Sequence, residues 1–383
     1  MSVTTNAAPL KIAEPWFDEV ETKGVADVLA SGQLIQAQRV LELERAFAEE
    51  TGLAQAVMVS SGTAALHLAM LACDIGPGDA VAVPDYTFVA TANAVACAGA
   101  TPVFVDVAPD TYNMDPAALR SLIEWMPAQG GGFRLRMIMP VHQFGLPAEM
   151  DAIAALALEH GLVLVEDAAC ALGSRYRGGK IGAWGRAACF SFHPRKVITT
   201  GEGGAVVTND VALADRLRAL RAHGFAVPPH RPELVEPGLN YRMTEMQAAL
   251  GLGQMAKLPA ILDRRRRLAS LMTRALAGLS WFAPPQAPPH LSPNWQSYVG
   301  LLAERVDRTK VIAHMASRGI ETRPGATANH LLKAYRDCPP AMTPACPVSA
   351  MLDARTLALP LHPLMQPADV ERVADALRAY QAE

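Results

Sequence analysis

The most constraining feature of this chain is a regular alternation of short apolar strands with helical segments between residues 54 and 208. Seven stretches have strand length and are apolar throughout, with turns or helical patterns between them. They are Ala56–Val59, Ala80–Val83, Pro102–Val105, Met137–Pro140, Leu162–Val165, Ala187–Ser191 and Ala205–Thr208. Because strands that are apolar on both faces must be covered on both faces, the pattern predicts an α/β fold with a mostly parallel seven-stranded sheet between helices.

The rest of the chain predicts a second, smaller unit, as expected for 383 residues. A helical pattern covers Thr244 to Ala277 with an interruption near Pro259, and its run Arg264 to Arg267 predicts a solvated helix face. After a proline-rich segment, the pattern predicts strands at Tyr298–Leu302 and Thr356–Leu359 and helices at Thr309–Ser317 and Pro367–Tyr380. We therefore expect an N-terminal extension (1–13), a large domain (14–260) and a small C-terminal domain (261–383).

Composition and charge exclude several classes of protein. Hydrophobic residues make up 51% and charged residues 19%, which is typical of a globular chain. The net charge of -3 gives no reason to expect nucleic acid or an anionic membrane as a partner. Two uncharged stretches, 52–73 and 86–105, are interrupted by polar residues and turn residues, so we expect no membrane span.

The cysteines predict a reducing compartment. None of the six belongs to a C-x-x-C pair, so we expect no zinc or iron–sulfur site and no other metal. They are Cys73, Cys97, Cys170, Cys189, Cys338 and Cys346. The first ten residues lack the pattern of a signal peptide. Reduced thiols in a cytoplasmic protein are the simplest interpretation.

A lysine and an aspartate, each following one of the strands, indicate pyridoxal 5'-phosphate (PLP) chemistry. Lys196 lies between the strand that ends at Ser191 and the glycine-rich turn 201–204, and Asp167 closes the strand that begins at Leu162. A lysine amine is a nucleophile only when neutral, which apolar surroundings favour. An aspartate can keep a pyridine nitrogen protonated, so that the ring accepts electrons. Alone, either residue could be a surface lysine or a helix cap.

Other residues at strand ends are candidates for holding the cofactor, because ligands of parallel sheets bind there. Gly62 and Thr63 begin a helix after a strand, where free N–H groups and close backbone approach suit a phosphate, although helix capping alone would explain the preceding serines. Ser191 could add a hydroxyl group. Phe88 could stack on the pyridine ring or belong to the core.

Several ordered motifs together resemble the DegT/StrS family of sugar aminotransferases, which are PLP enzymes of fold type I. The motifs are Ser60–His67, Glu166–Ala169, Ser191–Lys196, Gly201–Gly204, Asn240–Met243 and Gln247–Leu250. The resemblance covers nearly the whole chain from about Glu14 to the last helix. It implies the type I fold, with a large PLP-binding domain and a smaller C-terminal α+β domain.

The resemblance also implies roles for individual residues. Lys196 would form the covalent link to the cofactor aldehyde, Asp167 would pair with the ring nitrogen and Phe88 would stack on the ring. The phosphate would be held by Thr63, Ala64 and Ser191, and by Asn240 of the neighbouring subunit in a homodimer. Such enzymes usually move an amino group from glutamate to the keto group of a nucleotide-linked sugar.

Substrate contacts are predicted on separate grounds. The carboxylate of an amino-acid donor needs a cationic partner, and we nominate Arg242 next to Asn240, with a surface ion pair as the alternative explanation. His193 and His330 are further candidates for contact with substrate.

Three positions depart from the family pattern. Cys170 stands where the family commonly has Gln or His near the phenolic oxygen of the cofactor, and a thiol is a poorer hydrogen-bond partner. Ala37–Gln38 replaces a Gly–Pro pair, and 323–330 replaces a segment that usually carries a His–Tyr and a Pro–Leu–His run. The identity of the keto substrate is therefore the least determined part of the prediction.

Alternative functions stay open on the same fold. Relatives act on keto-inositols or make aminohydroxybenzoate, and a PLP-binding regulatory protein without turnover would keep the same residues. Dehydratases of the family replace the lysine with histidine, so Lys196 disfavours that branch. A cysteine desulfurase would need a reactive cysteine such as Cys338 or Cys346, and neither has the motif context.

Overall fold

The computed structural model describes residues 8–126, 132–226, 233–336 and 345–382, which excludes Cys338. The helices in these residues are α1 (Glu19–Ser31), α2 (Gln38–Thr51), α3 (Gly62–Ala72), α4 (Ala90–Cys97), α5 (Pro116–Trp125), α6 (Met150–Glu159), α7 (Val211–Leu220), α8 (Glu245–Ala275), α9 (Arg308–Ala316), α10 (Lys333–Arg336), α11 (Pro347–Arg355) and α12 (Pro367–Arg378). In the same described residues, short 3-10 turns lie at Gln143–Gly145 and Asn329–Leu331.

Most strands are short. They are β1 (Gln55–Val59), β2 (Asp79–Pro84), β3 (Tyr86–Thr87), β4 (Thr101–Val105), β5 (Arg134–Ile138), β6 (Val163–Asp167), β7 (Arg175–Tyr176), β8 (Gly179–Lys180), β9 (Ala187–Ser191), β10 (Gly204–Thr208), β11 (Phe225–Ala226), β12 (Glu233–Leu234), β13 (Phe282–Ala283), β14 (Leu291–Ser292), β15 (Tyr298–Leu302), β16 (Thr327–Ala328) and β17 (Thr356–Leu359). All seven strands predicted for the large sheet are present, each within a few residues of its predicted bounds.

The seven strands form one sheet in the order β1-β10-β9-β6-β5-β2-β4. Strands β4, β2, β5, β6 and β9 pair in parallel, whereas β10 runs antiparallel to both β9 and β1. The sheet is therefore mostly parallel, as predicted, with a single reversed strand. The carboxyl ends of β2, β6 and β9 lie at the same edge, which is where the predicted site residues follow.

Both faces of this sheet are buried. Since successive side chains of a strand point to opposite faces, Met58 belongs to the apolar cluster on one face and Val57 and Val59 to the cluster on the other. Helices α2, α5 and α6 contribute to the first cluster, and α3, α4 and α7 to the second. This double coverage explains why the strands are apolar throughout.

A third apolar cluster packs the sheet β13-β15-β17 against α9, α12 and the end of α8. Helix α8 continues across the predicted domain boundary at residue 260. No helix in the described residues is long and apolar enough to cross a membrane.

The predicted interruption of α8 at Pro259 was wrong, because the helix runs unbroken through it. Proline removes one helix hydrogen bond, and Pro259 itself lies on the exposed side of the helix. On either side of it, Leu258, Ile261 and Leu262 are buried, and their packing holds the helix together.

The prediction that the arginine run forms a solvated face was also wrong for part of the run. Arg265 is buried and donates to the carbonyl oxygens of Trp295, Gln296 and Leu361, and burial lowers its pKa to about 10. Arg264 lies over the ring of Trp16. Arg265 therefore fastens α8 to the segments that enter and leave the small sheet.

Candidate active site

The carboxylate of Asp167 lies buried at the end of β6, with 4% of the residue exposed. Thr91 Oγ1 of α4 donates to its Oδ2 at 2.7 Å, and the N–H of Ala169 donates to its Oδ1 at 3.1 Å. Burial raises the pKa of Asp167, although these hydrogen bonds and the attraction of Lys196 partly offset the effect. A positive charge placed against this buried carboxylate would stabilise its ionised form.

The neighbouring Glu166 faces the other side of the sheet and is fully buried. Its carboxylate accepts from the N–H groups of Gly182, Trp184 and Gly185 and lies 3.1 Å from Nε2 of His142. Because Nδ1 of His142 accepts from the N–H of Ala148, Nε2 carries the proton and donates to Glu166. This pair therefore fixes the backbone around Asp167 and does not face the site.

Lys196 lies in the loop after β9, and its amine contacts the thiol of Cys170 at 3.1 Å. The N–H of Lys196 donates to the carbonyl oxygen of His193, which forms a tight turn. Cys170 lies three residues after Asp167, so the structure places an amine, a thiol and a carboxylate at one edge of the sheet.

Helix α3 begins against the end of β9. Ser61 caps it by accepting from the N–H of Ala64, and the N–H groups of Gly62 and Thr63 have no acceptor among the described residues. A Cβ atom at Gly62 would lie 2.6 Å from Cβ of Ser191 and 2.9 Å from its Oγ. Only glycine allows the free helix start and the serine hydroxyl to lie this close together.

Phe88 follows β3 and is 63% exposed, which rules out the alternative of a core phenylalanine. An exposed aromatic ring is available to cover a flat ligand.

Asn240 and Arg242 lie beside the end of β1. The backbone of Arg242 bridges to Val59, and that of Asn240 bridges to Ala222. Asn240 is exposed and half-exposed Arg242 has no carboxylate partner among the described residues, so the alternative of a surface ion pair has no support.

The two candidate histidines differ in their surroundings. His193 lies next to the lysine loop, and burial lowers its pKa. His330 is half-buried, and its Nδ1 lies 2.6 Å from Oδ2 of Asp85, whose Oδ1 accepts from the N–H of His330. His330 therefore engages both carboxylate oxygens of Asp85. Cys346 lies near this pair.

These residues fit PLP. The buried Asp167 suits a protonated ring nitrogen, the cradle between Gly62 and Ser191 suits a phosphate, and the amine of Lys196 lies at the same edge. Phe88 offers an open aromatic face.

Sequence reasoning missed three supporting residues. Thr91 could have been suspected as a polar residue in an alanine-rich helix that follows a strand. Asn294 and Gln296, which bind the backbones of Cys170 and Arg195, gave no signal because they follow a proline-rich loop distant in sequence.

The chain matches the DegT/DnrJ/EryC1/StrS aminotransferase family over residues 15–378. It belongs to this family. The predicted family, type I fold and PLP cofactor are thereby confirmed, and the protein is a PLP-dependent aminotransferase.

Solved structures of related aminotransferases agree. Streptomyces venezuelae DesV, solved with a ketimine intermediate, is 36% identical to this chain, with a TM-score of 0.85. The match covers 96% of this chain and 98% of the DesV chain. DesI, solved in the presence of its TDP-sugar product, is 33% identical with a TM-score of 0.87 and coverages of 97% and 93%. Helicobacter pylori PseC, an aminotransferase of pseudoaminic acid biosynthesis, is 29% identical with a TM-score of 0.89 and coverages of 97% and 98%.

Proposed function

We propose that this aminotransferase moves an amino group from L-glutamate to the keto group of a nucleotide-linked sugar. One observation carries the proposal. The Lys196 amine and the buried Asp167 carboxylate lie at the same edge of the sheet, beside a helix start that fits a phosphate. The similarity to DesV, DesI and PseC supports a sugar as the acceptor.

Each residue has a task in this reaction. Bound PLP supplies an aldehyde that links to an amine and a ring that accepts electrons from the substrate carbon. Asp167, held by Thr91, keeps the ring nitrogen protonated. The amine of Lys196 would hold the cofactor covalently and, once the donor amine has replaced it, would act as the base and acid that moves a proton from the donor's α-carbon. Phe88 covers the ring and excludes water.

The phosphate lies at the start of α3 in this proposal. The free N–H groups of Gly62 and Thr63 and the hydroxyl group of Ser191 donate to it. The N–H of Ala64 already donates to Ser61, so Ala64 contributes only by sharing that hydrogen. Asn240 of the partner subunit completes the cradle.

Substrate recognition is assigned to residues around this centre. Arg242 lacks a carboxylate partner among the described residues, which suits it to bind the donor carboxylate. His193 adjoins the lysine loop and faces the substrate. His330 acts through its Nε2, because Asp85 engages Nδ1.

We infer a homodimer in the cytoplasm. Large apolar side chains are exposed around Asn240, in the connection between α1 and α2 and on α2, and a second copy would cover them. They include Leu34, Ile35, Leu41, Leu234, Val235 and Leu239. Cys73, Cys97, Cys170, Cys189 and Cys346 are free thiols, which suits a reducing compartment. We keep the division into 1–13, 14–260 and 261–383, with α8 crossing from the large to the small domain.

The test is spectroscopic. The purified protein with PLP should show an absorbance band near the visible edge that bleaches on addition of glutamate, with release of 2-oxoglutarate. Nucleotide-linked ketosugars should then restore the band. Restoration by keto-inositols alone would point to a keto-inositol aminotransferase, and formation of an aromatic product to an aminohydroxybenzoate-type synthase. A band that no amino acid changes would indicate a silent PLP-binding regulatory protein and end the proposal.

A further inference from the structure

The thiol of Cys170 is the closest partner of the Lys196 amine. Sγ and Nζ lie 3.1 Å apart, and in the described part of the chain neither atom has another hydrogen-bond partner. Asp167 attracts the amine from the same edge of the sheet. The contact therefore joins the turn after β6 to the loop after β9.

A single segment before β15 braces both loops. The side chain of Asn294 donates to the carbonyl oxygen of Cys170 at 2.7 Å, and that of Gln296 donates to the carbonyl oxygen of Arg195 at 2.6 Å. The N–H of Gln296 donates to Oδ1 of Asn294 at 2.8 Å, which connects these two residues to each other. Both side chains are buried. The backbone carbonyl groups of Cys170 and Arg195, which adjoin the thiol and the amine, are thus both held by the segment 294–296.

We infer that Cys170 is a positioning residue that holds the Lys196 amine whenever the amine is not linked to the cofactor. The inference rests on the role proposed for Lys196. In the proposed reaction this amine would leave its covalent link in the first half, carry a proton in both halves and return to the link only at the end of the second half. A thiol donates its hydrogen to a neutral amine, and a thiolate accepts from an ammonium, so the same side chain is a partner in both protonation states.

The first test uses the apoprotein and does not depend on activity. Iodoacetamide must reach Sγ of Cys170, and in the structure the Lys196 amine lies against that atom at 3.1 Å. Lys196→Ala removes the amine and the chain that carries it, and should speed alkylation of Cys170 by about fivefold or more. Peptide mass spectrometry would follow the rate, with exposed Cys97 of the same molecule as the reference. Equal rates within about twofold in the two proteins would overturn the inference.

The second test separates hydrogen bonding from packing. Cys170→Ala should lower the rate of the glutamate half-reaction by about 5- to 10-fold with an unchanged KM, because a hydrogen bond of about 1 kcal/mol to the amine is lost. Cys170→Ser, which keeps a hydroxyl partner, should restore most of that rate. A serine variant as slow as the alanine variant would contradict the inference, and Cys97→Ser should behave as the wild type.

Borohydride reduction of the loaded protein keeps the two proposals apart. Reduction fixes the cofactor on the lysine that carries it, and peptide mass spectrometry identifies that lysine. A label on Lys196 supports the proposed function, so the tests above judge Cys170 alone. A label elsewhere would overturn both the role of Lys196 and the inference, even if alkylation still reported the contact.

Discussion

Asp167 is the residue at which burial, charge and hydrogen bonding act together. Its carboxylate lies in the sheet edge where water cannot solvate it well, and two donors satisfy only part of its capacity. The raised pKa is the cost of this position in the protein alone. In the role proposed for Asp167, the protonated ring nitrogen of PLP would supply the missing positive charge, so the residue that destabilises the apoprotein would stabilise the holoenzyme.

The hydrogen bond from Thr91 should therefore matter for catalysis. Thr91→Val keeps the shape of the side chain and removes the donor to Asp167, and a hydrogen bond to a charged group is worth about 1.5–3 kcal/mol. We expect kcat/KM to fall by about 10- to 100-fold. Thr91→Ser, which keeps the hydroxyl group, should lose much less, and equal losses in the two variants would show that the bond is unimportant.

Asp167→Asn should stabilise the apoprotein while it abolishes activity. Below the ordinary aspartate pKa of about 3.9 the carboxyl group is protonated in both states and contributes nothing. As the pH rises from there to the raised pKa of the folded state, the folded protein keeps a proton that the unfolded chain has lost, so its stability falls. The asparagine side chain does not titrate, so the variant does not lose stability in this pH range. Its urea midpoint at neutral pH should exceed that of the wild-type apoprotein, with the difference shrinking as the pH falls; an unchanged difference would refute the argument.

At the scale of elements, the sequence predicts the kind and position of a helix or strand well where its packing is regular. The seven strands were predictable because coverage on both faces leaves an apolar run with no competing interpretation. Pro259 and Arg265 were mispredicted because their outcome depends on which side of α8 faces the rest of the molecule. Local composition does not carry that orientation.

The junction of α3 with β9 should not tolerate a side chain at position 62. The new Cβ of Gly62→Ala would meet Ser191 at 2.6 Å, so the helix start would have to shift away from the proposed phosphate position. Overpacking of this kind costs about 1–3 kcal/mol, and we expect PLP to bind about tenfold more weakly. Gly76→Ala is the matched control, since its Cβ would approach no atom closer than 3.8 Å. If fluorescence titration gave the Gly62→Ala and Gly76→Ala variants equal PLP affinities, the proposal that this junction holds the phosphate would be wrong.

Helix α2 depends on a residue from α8 for its start. Its N-cap Ala37 has no capping side chain, and Glu245 instead accepts from the N–H groups of Ala37, Arg39 and Val40. Glu245→Gln places an amide nitrogen against one of these donors and should lower the free energy of unfolding by about 2 kcal/mol. The exposed Glu42→Gln on α2 should change it by less than about 0.5 kcal/mol. Urea unfolding of both variants would decide the matter.

At the scale of the whole molecule, the closeness of Lys196 and Asp167 was predictable from the sequence, and the residues that hold their surroundings in place were not. Lys196 and Asp167 follow strands whose carboxyl ends must meet, so their proximity follows from the topology. Thr91, Asn294 and Gln296 reach the site through contacts across the fold, and strand order alone does not specify such contacts.

The shared site of the proposed dimer can be tested by mixing two inactive variants. Lys196→Ala removes the amine of its own subunit, and Asn240→Ala removes the side chain that serves the neighbouring subunit. In a mixed dimer, one site combines an intact Lys196 from one chain with an intact Asn240 from the other. Unfolding and refolding an equal mixture should form mixed dimers in half of the molecules, each with one working site, and restore about a quarter of the wild-type activity at limiting PLP. If Asn240 serves its own subunit instead, no combination contains a complete site, and the mixture would stay as inactive as its components.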